Sequence, residues 1–128
     1  MSDNNSATAE GTKVSNFLVR PDQENKTFQT KVGRFTFRWL RPTERVIVEG
    51  RVSAMLGNAP EESIPQDARI LARAILILDY ATESSPDGWT SFGGYADEEL
   101  TVDLYSKYFN WMEEVKKEVR KTLESSSK

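Results

Sequence analysis

The chain has 128 residues, the size of one domain, and its 38% apolar and 29% charged residues are enough for one ordinary core with polar tails. It contains no Cys and no His, which excludes thiol nucleophiles, imidazole bases, a disulfide framework and the commonest zinc ligands. No apolar h-region opens the chain, and its longest uninterrupted apolar run, Ala74–Leu78, is too short to cross a bilayer, so a cytosolic protein is expected.

The net charge of −3 is unevenly spread. Residues 26–51 carry seven basic and two acidic side chains, whereas residues 58–103 carry ten acidic and two basic ones. Such polarity suits steering towards a partner or a second copy, or simply gives each segment a solvated face.

Residues 1–25 are rich in Ser, Asn, Asp, Thr and Glu and are expected to be a disordered tail. Phe17–Val19 is its one apolar stretch, which either docks on the domain or orders on a partner. Residues 26–124 are expected to form a single domain, and 125–128 a frayed end.

Within the domain, residues 27–40 predict a hairpin. A turn at Gly33-Arg34 pairs Val32 with Phe35, Thr30 with Phe37 and Phe28 with Trp39, all on one face. Lys31, Thr36, Gln29 and Arg38 fall on the other.

Pro42 suits the first turn of a helix. Residues 43–56 suit either a strand, from the β-branched run at 46–48, or a helix, from Glu44, Val48, Val52 and Met55 at helical spacing. Gly57, placed as a C′ residue, tips the reading to helix despite Gly50 in its middle. A second helix is expected from Pro65 to about Thr82, capped near Ser63 or Ile64. It is apolar nearly all round, with Gln66, Arg69, Arg73 and Tyr80 as a thin polar stripe, so it belongs at the centre of the domain. Asp79 sits near its C-terminal end, where the macrodipole disfavours an acid.

A loop rich in Gly, Pro and Ser follows at Glu83–Ala96. Asp97 is an N-cap residue for a last helix running to about Leu123, roughly 40 Å long, with Leu100, Leu104, Tyr108, Trp111/Met112, Val115, Val119 and Leu123 on its apolar stripe. Its charged faces place Glu113 with Lys117 and Glu118 with Lys121. The fold class is therefore α+β, mainly α: an N-terminal hairpin followed by three helices.

General acid–base chemistry needs paired carboxylates in a shared, partly desolvated pocket. The available groups are Glu61/Glu62, Asp79 with Glu83, and Asp97/Glu98/Glu99 with Asp103. The first and third stand at helix starts, where acids cap. Gly93-Gly94 lacks the spacing of a phosphate loop. The hairpin's aromatic and basic residues lie on opposite faces, which argues against a base-stacking platform. No catalytic, cofactor or metal residues are assigned. Trp89, Phe92 and Tyr95 are aromatics in a loop, so they either bind a partner or cap the ends of the two long helices.

Several short motifs carry a resemblance. They are F-x-F-R-x-x-R-P-T at 35–43, Ile47, Glu49 and Arg51 at alternate positions, P-x-G-W at 86–89 and the helix at 104–111. In this order, over about residues 28–118, the chain resembles the tail assembly chaperone-like proteins of long-tailed bacteriophages. The resemblance implies a helical, non-enzymatic, cofactor-free protein in the host cytoplasm that binds tape-measure or tail-tube subunits and shields their apolar segments. A structural tail or neck component of the virion, or a nucleic-acid-binding regulator using the basic hairpin, are the alternatives.

Overall fold

Alternating Phe and polar residues do make a hairpin, but it closes earlier than expected. In the computed structural model, which describes residues 19–126 and their side chains to 124, β1 (Asn25–Thr30) pairs antiparallel with β2 (Gly33–Arg38). Thr30 opposes Gly33, so the two-residue turn is Lys31-Val32 and not Gly33-Arg34. The Thr30 hydroxyl closes the turn itself, accepting the Val32 N–H at 3.1 Å and donating to the Gly33 carbonyl at 2.8 Å. Gly33 keeps a positive φ of 132° for another purpose: a Cβ there would stand 2.6 Å from Pro86 Cγ. Phe28 consequently opposes Phe35, not Trp39, and Phe37 opposes Lys26, not Thr30. The displacement is an even number of residues, so Phe28, Phe35 and Phe37 still share one face.

The loop expected from Glu83 instead begins with a third strand, β3 (Thr82–Ser84), antiparallel to β2. Thr82, whose hydroxyl donates to the Leu78 carbonyl at 2.6 Å, takes extended dihedrals and turns the chain from helix to strand. The hairpin-plus-three-helices architecture stands, enlarged to a three-stranded sheet in the order β1-β2-β3.

Helix α1 (Pro42–Met55) settles the ambiguous segment. Pro42 occupies the first turn after an extended Arg41, and the Glu44 carboxylate accepts the Arg41 N–H at 3.0 Å. At the far end Gly57, φ 73°, and Asn58 donate their N–H groups to the Ala54 and Ser53 carbonyls at 3.0 and 2.8 Å, a Schellman closure. Val48 and Val52 turn inward, whereas Met55, read as part of the same stripe, is 53% exposed.

Pro65 caps α2 (Gln66–Ala81) and is not its first helical residue. The helix is less central than its composition implies. Ala72, Ala74, Ile77, Leu78 and Ala81 are buried, but Ala68 and Ile70 in its first turns are exposed. Arg73 of its polar stripe reaches Glu49 of α1 through two hydrogen bonds, 2.7 and 2.9 Å.

As expected, Asp97 caps α3 (Glu98–Ser126), its Oδ1 accepting the Glu99 N–H at 3.0 Å. Ser125 and Ser126, expected to fray, continue the helix; residues 127–128 and 1–18, including Phe17 and Leu18, lie outside the described residues.

The chain forms two compact units. Asn25–Tyr108 holds the sheet, α1, α2 and the first part of α3, with Phe35, Phe37, Leu40, Leu78, Phe92, Leu104 and Tyr108 as its large buried side chains. The other unit holds residues 19–24, with a single 3-10 turn at Pro21–Gln23, and α3 from Phe109 onward, where Met112 and Val115 are buried. There Glu113 pairs with Lys116 at 2.9 Å, one residue before the Lys117 expected from the spacing, and Glu118 pairs with Lys121 at 3.8 Å.

Candidate interaction surfaces

The three loop aromatics belong to one cluster with unequal fates. Phe92 is 2% exposed and packs on the sheet, its ring 5.1 Å from Phe35 and 5.9 Å from Phe37. Core packing therefore accounts for it, and its ring is not accessible at the surface. Trp89 meets Phe35 and Phe92 edge-on at 4.8 and 4.7 Å and remains half-buried, as does Tyr95, 5.1 Å from the indole. Together with Val32, Pro86, Asp87 and the loop backbone they line a surface pocket of about 280 Å³.

Two contacts hold this loop in place. Asp79 Oδ1 accepts the Phe92 N–H at 2.8 Å, which explains an acid at the unfavourable end of α2. Burial pushes the Asp79 carboxyl above the usual aspartate range, against the pull of the Phe92 and Gly93 N–H groups. Pro86 seats on Gly33, and the Trp89 N–H donates to the Pro86 carbonyl at 3.0 Å, closing a turn through Gly88 at φ 84°.

A second surface was not legible in advance. On α1, Thr43, Val46, Ile47, Gly50, Ser53 and Ala54 recur at helical spacing and are all exposed, opposite the inward Val48 and Val52. Val46 is 72% and Ile47 47% exposed. This face bears no charge, and at Gly50 nothing lies within 4 Å of where a Cβ would be. The β-branched run that suggested a strand is the signal that could have found it.

Arg34, Arg38 and Lys31 of the hairpin have partners within the fold. Arg34 donates to Gln29 at 3.1 Å. Arg38 pairs with Glu44, donates to the Tyr80 carbonyl at 3.3 Å and lies 5.0 Å over the Tyr80 ring, which Arg51 also approaches at 5.2 Å. Burial alone would raise the Glu44 carboxyl, but the Arg41 N–H and the Arg38 guanidinium hold it below the usual glutamate range.

Several of the carboxylates considered for acid–base work are engaged by other groups. Glu83 is exposed and accepts from Asn25 at 3.1 Å, while Asp79 is spent on Phe92. Glu61 sits at an exposed 3-10 turn, 3.9 Å from Arg69 and 3.7 Å from Arg73. Asp97 caps α3 and pairs with Lys31 at 3.3 Å, and Asp103 pairs with Lys107 at 3.2 Å. Among the described residues, no helix is long and apolar enough to cross a membrane. Compared with family models, characterised proteins and solved structures, the chain matches none.

Proposed function

We propose that the chain is a non-enzymatic binding protein of the host cytoplasm, a phage tail assembly chaperone that shields apolar segments of tail-tube or tape-measure subunits on the outer face of α1. The observation that carries this reading is Gly50. A glycine in the middle of a helix costs about 1 kcal/mol relative to alanine, and here no internal neighbour requires it, since the space above it is open. With Val46 and Ile47 beside it, the backbone at Gly50 offers a shallow, charge-free seat on which an apolar client segment packs closely.

The hairpin's role is structural in this reading, because Arg34 and Arg38 already have partners within the fold. The test is co-expression with phage tail-tube and tape-measure proteins, followed by capture of the chain. Co-purification and a gain in client solubility support the proposal; neither appearing rejects it. Mass spectrometry of mature virions separates chaperone from tail or neck component, since a chaperone is absent from the finished particle.

A further inference from the structure

The pocket beside Trp89 and Tyr95 has a chemistry distinct from the α1 face. We propose that it receives a basic side chain, Arg or Lys, from a protein partner. This inference is independent of the tail-assembly reading.

Two aromatic rings with centroids 5.1 Å apart and planes at 40° line the same pocket, joined by Asp87. Aromatic faces attract cations through the ring quadrupole, and a carboxylate at the rim adds a point of charge. The loop that forms the pocket is acidic along the chain, and Lys31, next to the lining Val32, is already paired with Asp97 at 3.3 Å. Residues 83–103 carry Glu83, Asp87, Asp97, Glu98, Glu99 and Asp103 with no Lys or Arg among them. Of these, Asp97 and Asp103 have ion-pair partners, at 3.3 and 3.2 Å; Asp87 has none among the described residues. A cation entering the pocket therefore meets a carboxylate with no ion-pair partner among the described residues and two aromatic rings, a setting that favours it over an anion.

The pocket is also built before any ligand arrives. Its floor is fixed by the Phe35–Trp89 and Trp89–Phe92 contacts, and its rim by the Pro86–Gly33 seat and the Phe92–Asp79 hydrogen bond. Little ordering is left to oppose binding.

The test is NMR of the full chain with 15N-labelled indoles, titrated with N-acetyl-arginine amide and, in parallel, with the isosteric but uncharged N-acetyl-citrulline amide. Trp39 and Trp111 serve as internal controls, and Trp89→Phe assigns the third resonance. The expected result is a saturable shift of the Trp89 resonance with the arginine probe and none with citrulline. Asp87→Asn, at an exposed position, is expected to weaken binding by roughly two- to five-fold. Tyr95→Leu is expected to weaken it further while the Trp39 and Trp111 signals hold their folded positions. No movement of Trp89, or equal movement with citrulline, overturns the proposal. So does arginine binding that is indifferent to both Asp87→Asn and Tyr95→Leu.

Discussion

Asp79, in the last turn of α2, accepts the backbone N–H of Phe92 at 2.8 Å and so ties the aromatic loop to the helix that precedes it. The carboxylate is poorly placed for the helix dipole and partly desolvated, so its ionised form is disfavoured in the folded state. The folded protein therefore holds this proton more tightly than the unfolded chain does. Stability from this group is greatest below the ordinary aspartate value of about 3.9 and falls as pH rises through the elevated folded value.

Asp79→Asn keeps an acceptor for Phe92 without the charge. It is expected to match or exceed the parent in stability at pH 7, with the advantage shrinking towards pH 4. Asp79→Leu removes the acceptor and is expected to cost about 1–3 kcal/mol. Denaturant unfolding of the three proteins at both pH values checks this; an Asn variant that loses as much as the Leu variant at pH 7 contradicts it.

Gly33→Ala is expected to be among the most damaging single-methyl changes in the chain. The added carbon would lie 2.6 Å from Pro86 Cγ, on a backbone held at φ 132°. Strain and overpacking together are expected to cost about 2–4 kcal/mol. Pro86→Ala in the same chain removes the Cγ contact but leaves Cβ 2.9 Å from the added methyl and the dihedral unchanged, so calorimetry of the double variant should recover only part of the loss.

Tyr108 is fully buried, T-shaped against Phe37 at 5.5 Å, and its hydroxyl donates to the Arg38 carbonyl at 2.6 Å. Burial raises its phenol well above the usual tyrosine range, so it stays protonated and able to donate. Tyr108→Phe preserves the ring and strands the carbonyl, with an expected cost of about 1–2 kcal/mol. Chemical denaturation reads it directly, and a neutral outcome means the carbonyl finds another donor.

Much of the fold was legible because side-chain period outlasts errors of register. Phe28, Phe35 and Phe37 alternate with polar residues, so their shared face survives a pairing displaced by an even number of residues. Pro42, Gly57 and Asp97 announced helix ends through local chemistry that needs no tertiary context. The turn was misplaced because Gly33 looked like a turn residue, while its freedom is spent on the approach of Pro86, distant in sequence. β3 has only three residues and exists by pairing with β2, which no local signal reports.

The candidate surfaces were less legible for the same reason. Trp89, Phe92 and Tyr95 look equivalent in sequence, yet the sheet takes Phe92 into the core and leaves the other two half-buried. Val46 and Ile47 belong to a β-branched run that suits a strand, and only the helix phase, fixed by Val48 and Val52 packing inward, turns them to solvent.

Gly50 separates folding from binding. With open space above it, Gly50→Ala is expected to stabilise the isolated protein by about 0.5–1 kcal/mol. A rise in thermal midpoint checks this, and a fall shows that the glycine serves the fold after all.

The most direct measurement is the affinity of a purified tail-tube or tape-measure subunit for three proteins: the parent, Gly50→Ala, and the double variant Val46→Glu/Ile47→Glu. Both glutamates fall at exposed positions, so stability should stay within about 0.5 kcal/mol of the parent. The prediction is tight capture by the parent, weaker capture by the more stable Gly50→Ala, and none by the double glutamate variant. Equal capture by all three would remove the α1 face from the interaction and contradict the account.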